Sequence, residues 1–277
     1  MAPLLSVVSD EIAPDIDTAI RFACAHGLAH LDLRSIGGRN LIDFENAELD
    51  ALRRTLAAAG IRVACFASPL LKWLPPEIAA PPQPHDAFGF SAGAVDEPRR
   101  FRRAFEICAR LGISRLRIFS YLAYDGFHLE RLCRPLAALI ELAERHDCEL
   151  LLENEPVCNI RGIADMAAFR AEFAHDRLRL LFDLGNLASM GETPSPAQIT
   201  ALAPGIGYIH IKDLAPGGGF VPLGQGTVDH RGAFAAIAAA APLDAIPVAL
   251  ETHMPRQGWG ACAAALAALR PMLAELG

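Results

Sequence analysis

Several features that would assign this chain to a particular class are missing from its sequence. The seven cysteines form an odd set without C-x-x-C spacing, which indicates reduced core thiols rather than a disulfide framework. The N-terminal stretch MAPLLSVVSDEIAPD has no basic region, and its apolar run is too short for a signal peptide. Since no stretch is long enough to cross a bilayer, we expect a cytoplasmic protein without a membrane partner.

An excess of positive charge is also lacking. The net charge is −7 and the isoelectric point lies near 5.7, which argues against nucleic acid or an anionic membrane as partner. A small-molecule ligand fits this balance better. With 277 residues, 52% of them hydrophobic, the chain suits one globular domain over residues 1–277, because α/β barrels often reach this size.

The pattern that is present is an alternation of short apolar runs, rich in Val, Ile and Leu, with longer amphipathic stretches. It predicts eight strand–helix units, the form of a (β/α)8 TIM barrel in the α/β class. An open doubly wound sheet is the alternative, because spacing alone does not establish closure. The predicted strands span residues 4–8, 29–33, 62–67, 114–119, 148–152, 178–182, 206–211 and 246–250.

Helix ends and one long loop can also be predicted. Asp96 followed by Pro98 is typical of a helix N-terminus, and three helices are expected to stop at glycines, at Gly27, Gly60 and Gly112. Pro135 lies inside the periodic stretch 129–145, so that helix begins near it or is kinked there. Residues 73–96, rich in Pro and Gly, form either a functional lid or an inert surface insertion.

Polar residues close four successive apolar strands: Glu153, Asp183, His210 and Glu251. Active sites of barrels lie at the C-terminal ends of the strands, so closure would bring these four together. Three carboxylates in one concave site repel each other unless their pKa values rise or a cation lies among them. Oxygen ligands with one nitrogen suit Mn²⁺, Mg²⁺, Co²⁺, Fe²⁺ or Zn²⁺. Alone, each residue would be read as a helix cap or salt-bridge partner, and only the set predicts a metal site.

The motifs LLLENEP, FDLGN, HIKD, VPLGQG and LETH resemble those of the sugar phosphate isomerase/epimerase family, the xylose isomerase-like TIM barrels. In the N-terminal half, SDEI, LDLRS, SPLLK and RIFSY resemble one branch of that family, so the likeness covers essentially the whole chain. It implies one divalent metal ion, commonly Mn²⁺ or Zn²⁺, on the four strand-end residues. It also implies a carbohydrate substrate and leaves a homodimer open.

The chain departs from the family pattern at three positions. Family epimerases often carry His at the position of Asn186, Glu at the position of Gln225, and Glu at the position of Asp32. These departures bear on the substrate more than on the metal, and Asn186 is a candidate substrate contact.

The chemistry of such a site follows from its two glutamates, Glu153 and Glu251. A metal ion acidifies the C–H next to a substrate carbonyl because it stabilises the enediolate oxygen. One glutamate would then remove the proton and the other would return it, to the opposite face in an epimerisation or to the next carbon in an isomerisation. Strand spacing leaves both outcomes open.

Further candidates follow from the two-residue period of a strand. Lys212 shares a face with His210, and His253 shares one with Glu251, so both are substrate-contact candidates with a solvated or salt-bridged role as the alternative. Arg34 is either a substrate contact or the ion-pair partner of Asp32.

Three more charged side chains complete the predicted site. Lys72 and Arg117 are candidates to hold an anionic substrate group, although no motif shows that the substrate is phosphorylated. Glu155 either hydrogen-bonds a substrate hydroxyl or pairs with Arg161.

Three other functions compete with an isomerase or epimerase. A dehydratase differs only in that a β-hydroxyl leaves after proton removal. Endonucleases of the apurinic type share this fold, but they call for more histidines at the site and a basic surface. A non-catalytic sugar-binding barrel is the third alternative, which the presence of both glutamates argues against.

Overall fold

Eight parallel strands form one sheet that wraps into a barrel. The computed structural model describes residues 3–78, 88–90 and 96–275. The strands are β1 (Leu5–Val7), β2 (His30–Leu33), β3 (Arg62–Leu70), β4 (Arg115–Ile118), β5 (Glu149–Glu153), β6 (Leu178–Asp183), β7 (Ile206–Ile211) and β8 (Val248–Leu250). The sheet order is β1-β8-β7-β6-β5-β4-β3-β2, so each strand lies beside its neighbour in sequence.

The seam between β1 and β2 almost closes the barrel. A parallel bridge joins Val8 to Asp32. Ser6 Oγ also donates across the seam to Asp32 Oδ1 at 2.7 Å. From the opposite wall, the hydroxyl of Tyr208 donates to both Asp32 oxygens at 2.7 and 2.9 Å. The predicted TIM barrel is therefore confirmed, and the open sheet is not formed.

Helices cover the outside of the barrel. Asp96 caps the helix Glu97–Leu111 by accepting from the backbone N–H of Arg99, and Gly112 ends that helix at a φ of 68°. Pro135 is the third residue of the helix Cys133–Arg145, so this helix begins near the proline and is not kinked by it. The helices are α1 (Ser9–Ile12), α2 (Ile16–Ala25), α3 (Asn46–Ala58), α4 (Glu97–Leu111), α5 (Cys133–Arg145), α6 (Ile163–Glu172), α7 (Leu184–Ser189), α8 (Pro196–Leu202), α9 (His230–Ala238) and α10 (Gly258–Ala274).

The barrel interior has its own small apolar layer, separate from the larger core between strands and helices. It consists of Cys65, Leu151, Leu181, Tyr208 and Ala249. Because side chains alternate along a strand, the residue two positions further on points into the same interior, nearer the C-terminal end. Four of these layer residues are followed in this way by Glu153, Asp183, His210 and Glu251, which places the predicted site residues directly above the layer.

Three other expectations meet the structure here. All seven cysteines are free, and five of them are buried. Within the described residues, no helix combines the length and apolar character needed to cross a membrane. Residues 79–87 and 91–95 of the predicted lid at 73–96 lie outside the described ranges, so its role stays a prediction.

The seam generates a stability prediction. Tyr208→Phe removes a donor from the fully buried Asp32 carboxylate, and we expect it to lower the free energy of unfolding by about 1–3 kcal/mol. Tyr124→Phe is the matched control, because the Tyr124 hydroxyl has no hydrogen-bond partner among the described residues. Urea denaturation measures both variants. Equal decreases in the free energy of unfolding of the two variants would show that the hydrogen bonds of the Tyr208 hydroxyl do not stabilise the seam.

Candidate active site

Four strand-end side chains converge at the C-terminal end of the barrel. Glu153, Asp183, His210 and Glu251 each offer one ligand atom, and these atoms lie within 4.8 Å of one another. All four residues are at least 98% buried. Strand closure and side-chain alternation produce this meeting, since no two of the four are near in sequence.

Asn154 fixes the joint between β5 and β6 beside the cluster. Its side chain accepts from the Asp183 backbone N–H at 2.8 Å and donates to the Asp183 carbonyl at 2.9 Å. Asp183 in turn caps α7 by accepting from the N–H of Asn186, whose amide donates to the Asn154 carbonyl. The Asp183 carboxylate is therefore held in one orientation by the backbone around it.

The carboxylates of the cluster have cationic partners supplied by the chain itself. Arg117 Nη1 lies 3.0 Å from Glu153 Oε2. Lys212 Nζ lies 2.8 Å from Asp183 Oδ2 and 2.7 Å from Glu251 Oε2. Arg34 Nη1 lies 2.7 Å from Glu251 Oε1. The negative charge of Glu153, which its apolar strand could not accept unpaired, is thus balanced by Arg117.

These partners separate the pKa values of the three carboxylates. Burial opposes the ionisation of Glu153, but the positive charge of Arg117 outweighs it and lowers the pKa of Glu153 to about 2. Burial likewise opposes ionisation of Glu251, but Lys212 and His210 lower its pKa well below the usual range. In Asp183 burial prevails over the attraction of Lys212, and the pKa of Asp183 rises to about 6.

His210 lies between the cluster and the seam. Its Nδ1 is 3.3 Å from Glu153 Oε1 and 3.2 Å from Glu251 Oε2. Its Nε2 is 3.8 Å from Asp32 Oδ2 and has no hydrogen-bond partner among the described residues. Burial disfavours the charged imidazole, but Glu251 and Glu153 outweigh it and raise the pKa of His210. Nδ1 is therefore the nitrogen that faces Glu153 and Glu251.

The donor set fits a divalent metal ion. Three carboxylate oxygens and one imidazole nitrogen around a common point match the ligands of Mn²⁺ or Zn²⁺. Asp183 Oδ2 is buried without a hydrogen bond, because Lys212 Nζ approaches it outside hydrogen-bond geometry. A second group, Glu11 with Glu251 and His253, shares Glu251 with the first and is not an independent site.

The other predicted site residues divide into two groups. Lys212 Nζ meets Asn186 Oδ1 and His253 Nε2, each at 3.2 Å, so these three lie together at the cluster. Lys72 Nζ pairs with Glu155 Oε2 at 3.1 Å, and Lys72 and Arg117 both lie over the ring of Phe119. His253 takes a φ of 53°, a strained conformation for a non-glycine residue that is typical of functional positions.

Two pairings considered from the sequence are not formed among the described residues. Asp32 bonds Ser6 and Tyr208 in the seam, and its expected partner Arg34 instead pairs with acidic residues of α1 and with Glu251. Glu155 pairs with Lys72 rather than with Arg161.

Sequence reasoning also missed four side chains around the site. Asp10 and Glu11 bind Arg34, at 3.0 and 2.7 Å. They belong to the SDEI motif, which is part of the family resemblance but had no role assigned to it from the sequence. Phe88 covers the Arg34 guanidinium at 3.6 Å, and Phe220 packs on His253 with ring centres 4.7 Å apart. No sequence period marks these two aromatics, because both lie in connections between strands and helices.

Comparison with known proteins agrees with this geometry. The family model described as xylose isomerase-like TIM barrel matches residues 20–272. No protein among the curated sequences matches the chain.

Three solved structures illustrate the likeness of fold. The IolI protein with a bound zinc atom is 15% identical, with a TM-score of 0.74 over 100% of this chain and 99% of that chain. A D-allulose 3-epimerase from Methylomonas sp. is 17% identical, with a TM-score of 0.72 over 98% of each chain. A probable 3-DHS dehydratase, AsbF from Bacillus anthracis, is 15% identical, with a TM-score of 0.68 over 95% of this chain and 98% of that chain.

The donor cluster generates a prediction about metal content. We expect the purified protein to hold about one divalent ion per chain, as one four-residue cluster implies. Asp183→Ala and His210→Ala should each deplete the ion, because each removes one of four ligands. Elemental analysis with thermal unfolding measures both effects, and Asp213→Ala, outside the cluster, controls for general loss of stability. Full occupancy in both cluster variants would refute the ligand assignment.

Proposed function

Because the chain belongs to the xylose isomerase-like TIM barrel family, we propose that its acidic barrel end is a metal-dependent isomerase or epimerase site for a sugar or polyol derivative. The observation that carries this proposal is the position of Glu153 and Glu251 on either side of His210 Nδ1. The likeness to a D-allulose 3-epimerase and to a zinc-containing barrel agrees with it.

The four-residue cluster of Glu153, Asp183, His210 and Glu251 would hold the ion. A bound divalent ion would polarise a substrate carbonyl and stabilise the negative charge that develops when the neighbouring C–H loses its proton. Asp183 and His210 are suited to be ligands only, because Asn154 fixes the first and the second faces the cluster with a single nitrogen.

Proton transfer falls to the two glutamates. The lowered pKa values of Glu153 and Glu251 keep both ionised at neutral pH, in the form that accepts a proton. Each has one oxygen held by an arginine, Arg117 for Glu153 and Arg34 for Glu251, and the other turned toward His210. The arginines therefore orient the carboxylates from behind while one oxygen of each faces the reaction centre.

Lys212 is positioned to serve the substrate oxygens. Its ammonium bridges Asp183, Glu251 and the Asn186 amide, so a hydroxyl or carbonyl oxygen entering the cluster would meet a fixed donor. Such a donor stabilises an oxygen that gains negative charge, including the oxygen of a departing hydroxyl. A dehydratase on the same residues is thus the second candidate, and the likeness to a probable 3-DHS dehydratase agrees with it.

The reaction can be tested by hydrogen exchange. In D₂O, with Mn²⁺ and a panel of ketoses, we expect exchange of the hydrogen next to the carbonyl, seen by NMR. Glu153→Gln and Glu251→Gln should each lower the rate on the order of 10²–10⁴-fold, because each removes a positioned acid–base group. Metal occupancy is restored before rates are compared.

Glu149→Gln is the matched control for that experiment. Glu149 begins the same strand that Glu153 ends, and it pairs with Arg115 and Arg179 at the opposite end of the barrel. Its rate should equal that of the parent. Products that keep all oxygens support isomerisation or epimerisation, loss of water supports the dehydratase, and parent rates in both metal-loaded site variants would rule out the two-glutamate mechanism.

A further inference from the structure

The cations that surround the site are buried, and the side chains of their carboxylate partners are at most 17% exposed, so these charges must balance locally. Four cations, Arg34, Lys72, Arg117 and Lys212, are each no more than 7% exposed. The carboxylates in ion-pair contact with them number six: Asp10, Glu11, Glu153, Glu155, Asp183 and Glu251. The set therefore carries two more negative than positive charges, an excess that a single divalent cation would offset.

Every nitrogen of the two arginine guanidinium groups already donates to an acceptor within the protein. Arg34 donates from Nε to Asp10, from Nη2 to Glu11 and from Nη1 to Glu251. Arg117 donates from Nη1 to Glu153, and from Nη2 and Nε to the backbone carbonyls of Ala67 and Ser68. Both guanidinium groups are therefore engaged by acceptors of the protein itself.

The two lysines are similarly engaged. Lys212 contacts two carboxylates, Asp183 and Glu251, so its single positive charge offsets only one of these two negative charges. Lys72 has one carboxylate partner, Glu155, and its ammonium also lies over the ring of Phe119 at 4.9 Å. The stretches outside the described ranges, residues 1–2, 79–87, 91–95 and 276–277, contain no lysine or arginine that could alter this balance.

Aromatic side chains cover part of the charged site and reduce its contact with water. Phe88 lies over the Arg34 guanidinium at 3.6 Å and within 5.5 Å of Lys72 Nζ. Phe220 packs against His253 with ring centres 4.7 Å apart, and the Phe88 ring lies 6.3 Å from the same imidazole. A charge under such cover is poorly solvated, so an anion without its own counter-ion would be strongly disfavoured.

We infer that the substrate of this site is an uncharged keto-polyol or free ketose rather than a phosphorylated or carboxylated one. The inference rests on the proposed function, because it concerns the ligand of the same site. Charged pairs and amides offer many donors and acceptors to neutral hydroxyls, whereas a phosphate would have to displace an internal carboxylate from its cation. The expectation that Lys72 and Arg117 anchor an anionic group is replaced by this one.

The protonation state of His210 does not reverse the excess of negative charge at the site. Asp32 lies 3.8 Å from His210 Nε2 and balances a protonated imidazole. If the imidazole is neutral, Asp32 adds one more negative charge, which disfavours an anionic ligand further. In neither state does the site gain a spare positive charge.

The first test compares matched ligands on the Mg²⁺-saturated protein by isothermal titration. D-fructose and D-ribulose should each bind more tightly than their phosphates, D-fructose 6-phosphate and D-ribulose 5-phosphate, with a ratio on the order of 100-fold. Equal or tighter binding of either phosphate would overturn the inference.

The second test creates a spare cation. Glu155→Gln leaves Lys72 without its carboxylate, so the variant should gain at least about tenfold in affinity for D-fructose 6-phosphate and for inorganic phosphate. Glu141→Gln removes the same charge from an exposed pair with Arg145 and should gain nothing. Adding Lys72→Met to Glu155→Gln should abolish the gain. No gain in Glu155→Gln, at equal metal occupancy and with parent-like circular dichroism, contradicts the inference.

Failure of the proposed function would look different. If no ketose shows hydrogen exchange but Glu155→Gln still acquires phosphate affinity, the catalytic proposal is wrong while the charge inference holds. If exchange occurs only with phosphorylated ketoses, the catalytic proposal holds and the charge inference is overturned.

Discussion

The structure depends on compensation of charge inside the barrel, and Glu251 is where that compensation concentrates. Its Oε1 lies 2.7 Å from Arg34 and 3.6 Å from Arg117, and its Oε2 lies 2.7 Å from Lys212 and 3.2 Å from His210 Nδ1. These partners come from three different strands or strand ends, β2, β4 and β7. A buried carboxylate is tolerated only with such partners, so the network closes properly only when all the strands are in register.

The same constraint links barrel closure to the site. Asp32 receives Ser6 from β1 and Tyr208 from β7, and its other side approaches His210. One carboxylate therefore stabilises the seam and faces the imidazole that belongs to the donor cluster. At 3.8 Å the carboxylate is too far for a hydrogen bond, so it acts on the imidazole through its charge, and this charge is part of the fold's closing contact.

The fold and the donor cluster could be predicted from the sequence because both follow from local periodicity. Alternating apolar runs determine the strands, and a polar residue at the end of a strand must emerge at the same face in any parallel barrel. The pairing of charges could not be predicted, since Arg34 is separated from Glu251 by 217 positions and Lys72 from Glu155 by 83. The two-residue period of a strand predicted Asp32 and Arg34 on one face. In the structure the pairing of β2 with β3 has a bulge between Leu31 and Leu33. Beyond it, Arg34 pairs with the acidic residues of α1.

Local cations change what a metal ion has to do. A bare cluster of three carboxylates would require an ion for its stability, whereas this cluster already has Arg117, Lys212 and Arg34 in contact. Asp183 Oδ2, the cluster oxygen that lacks a hydrogen bond, would hold a divalent ion, which would supply Lewis-acid chemistry more than folding stability. Lys212 lies beside Asn186 and His253, where its ammonium would face the oxygens of a substrate. The chain thus compensates most of the charge of the cluster itself and leaves only the remaining negative excess for the ion to offset.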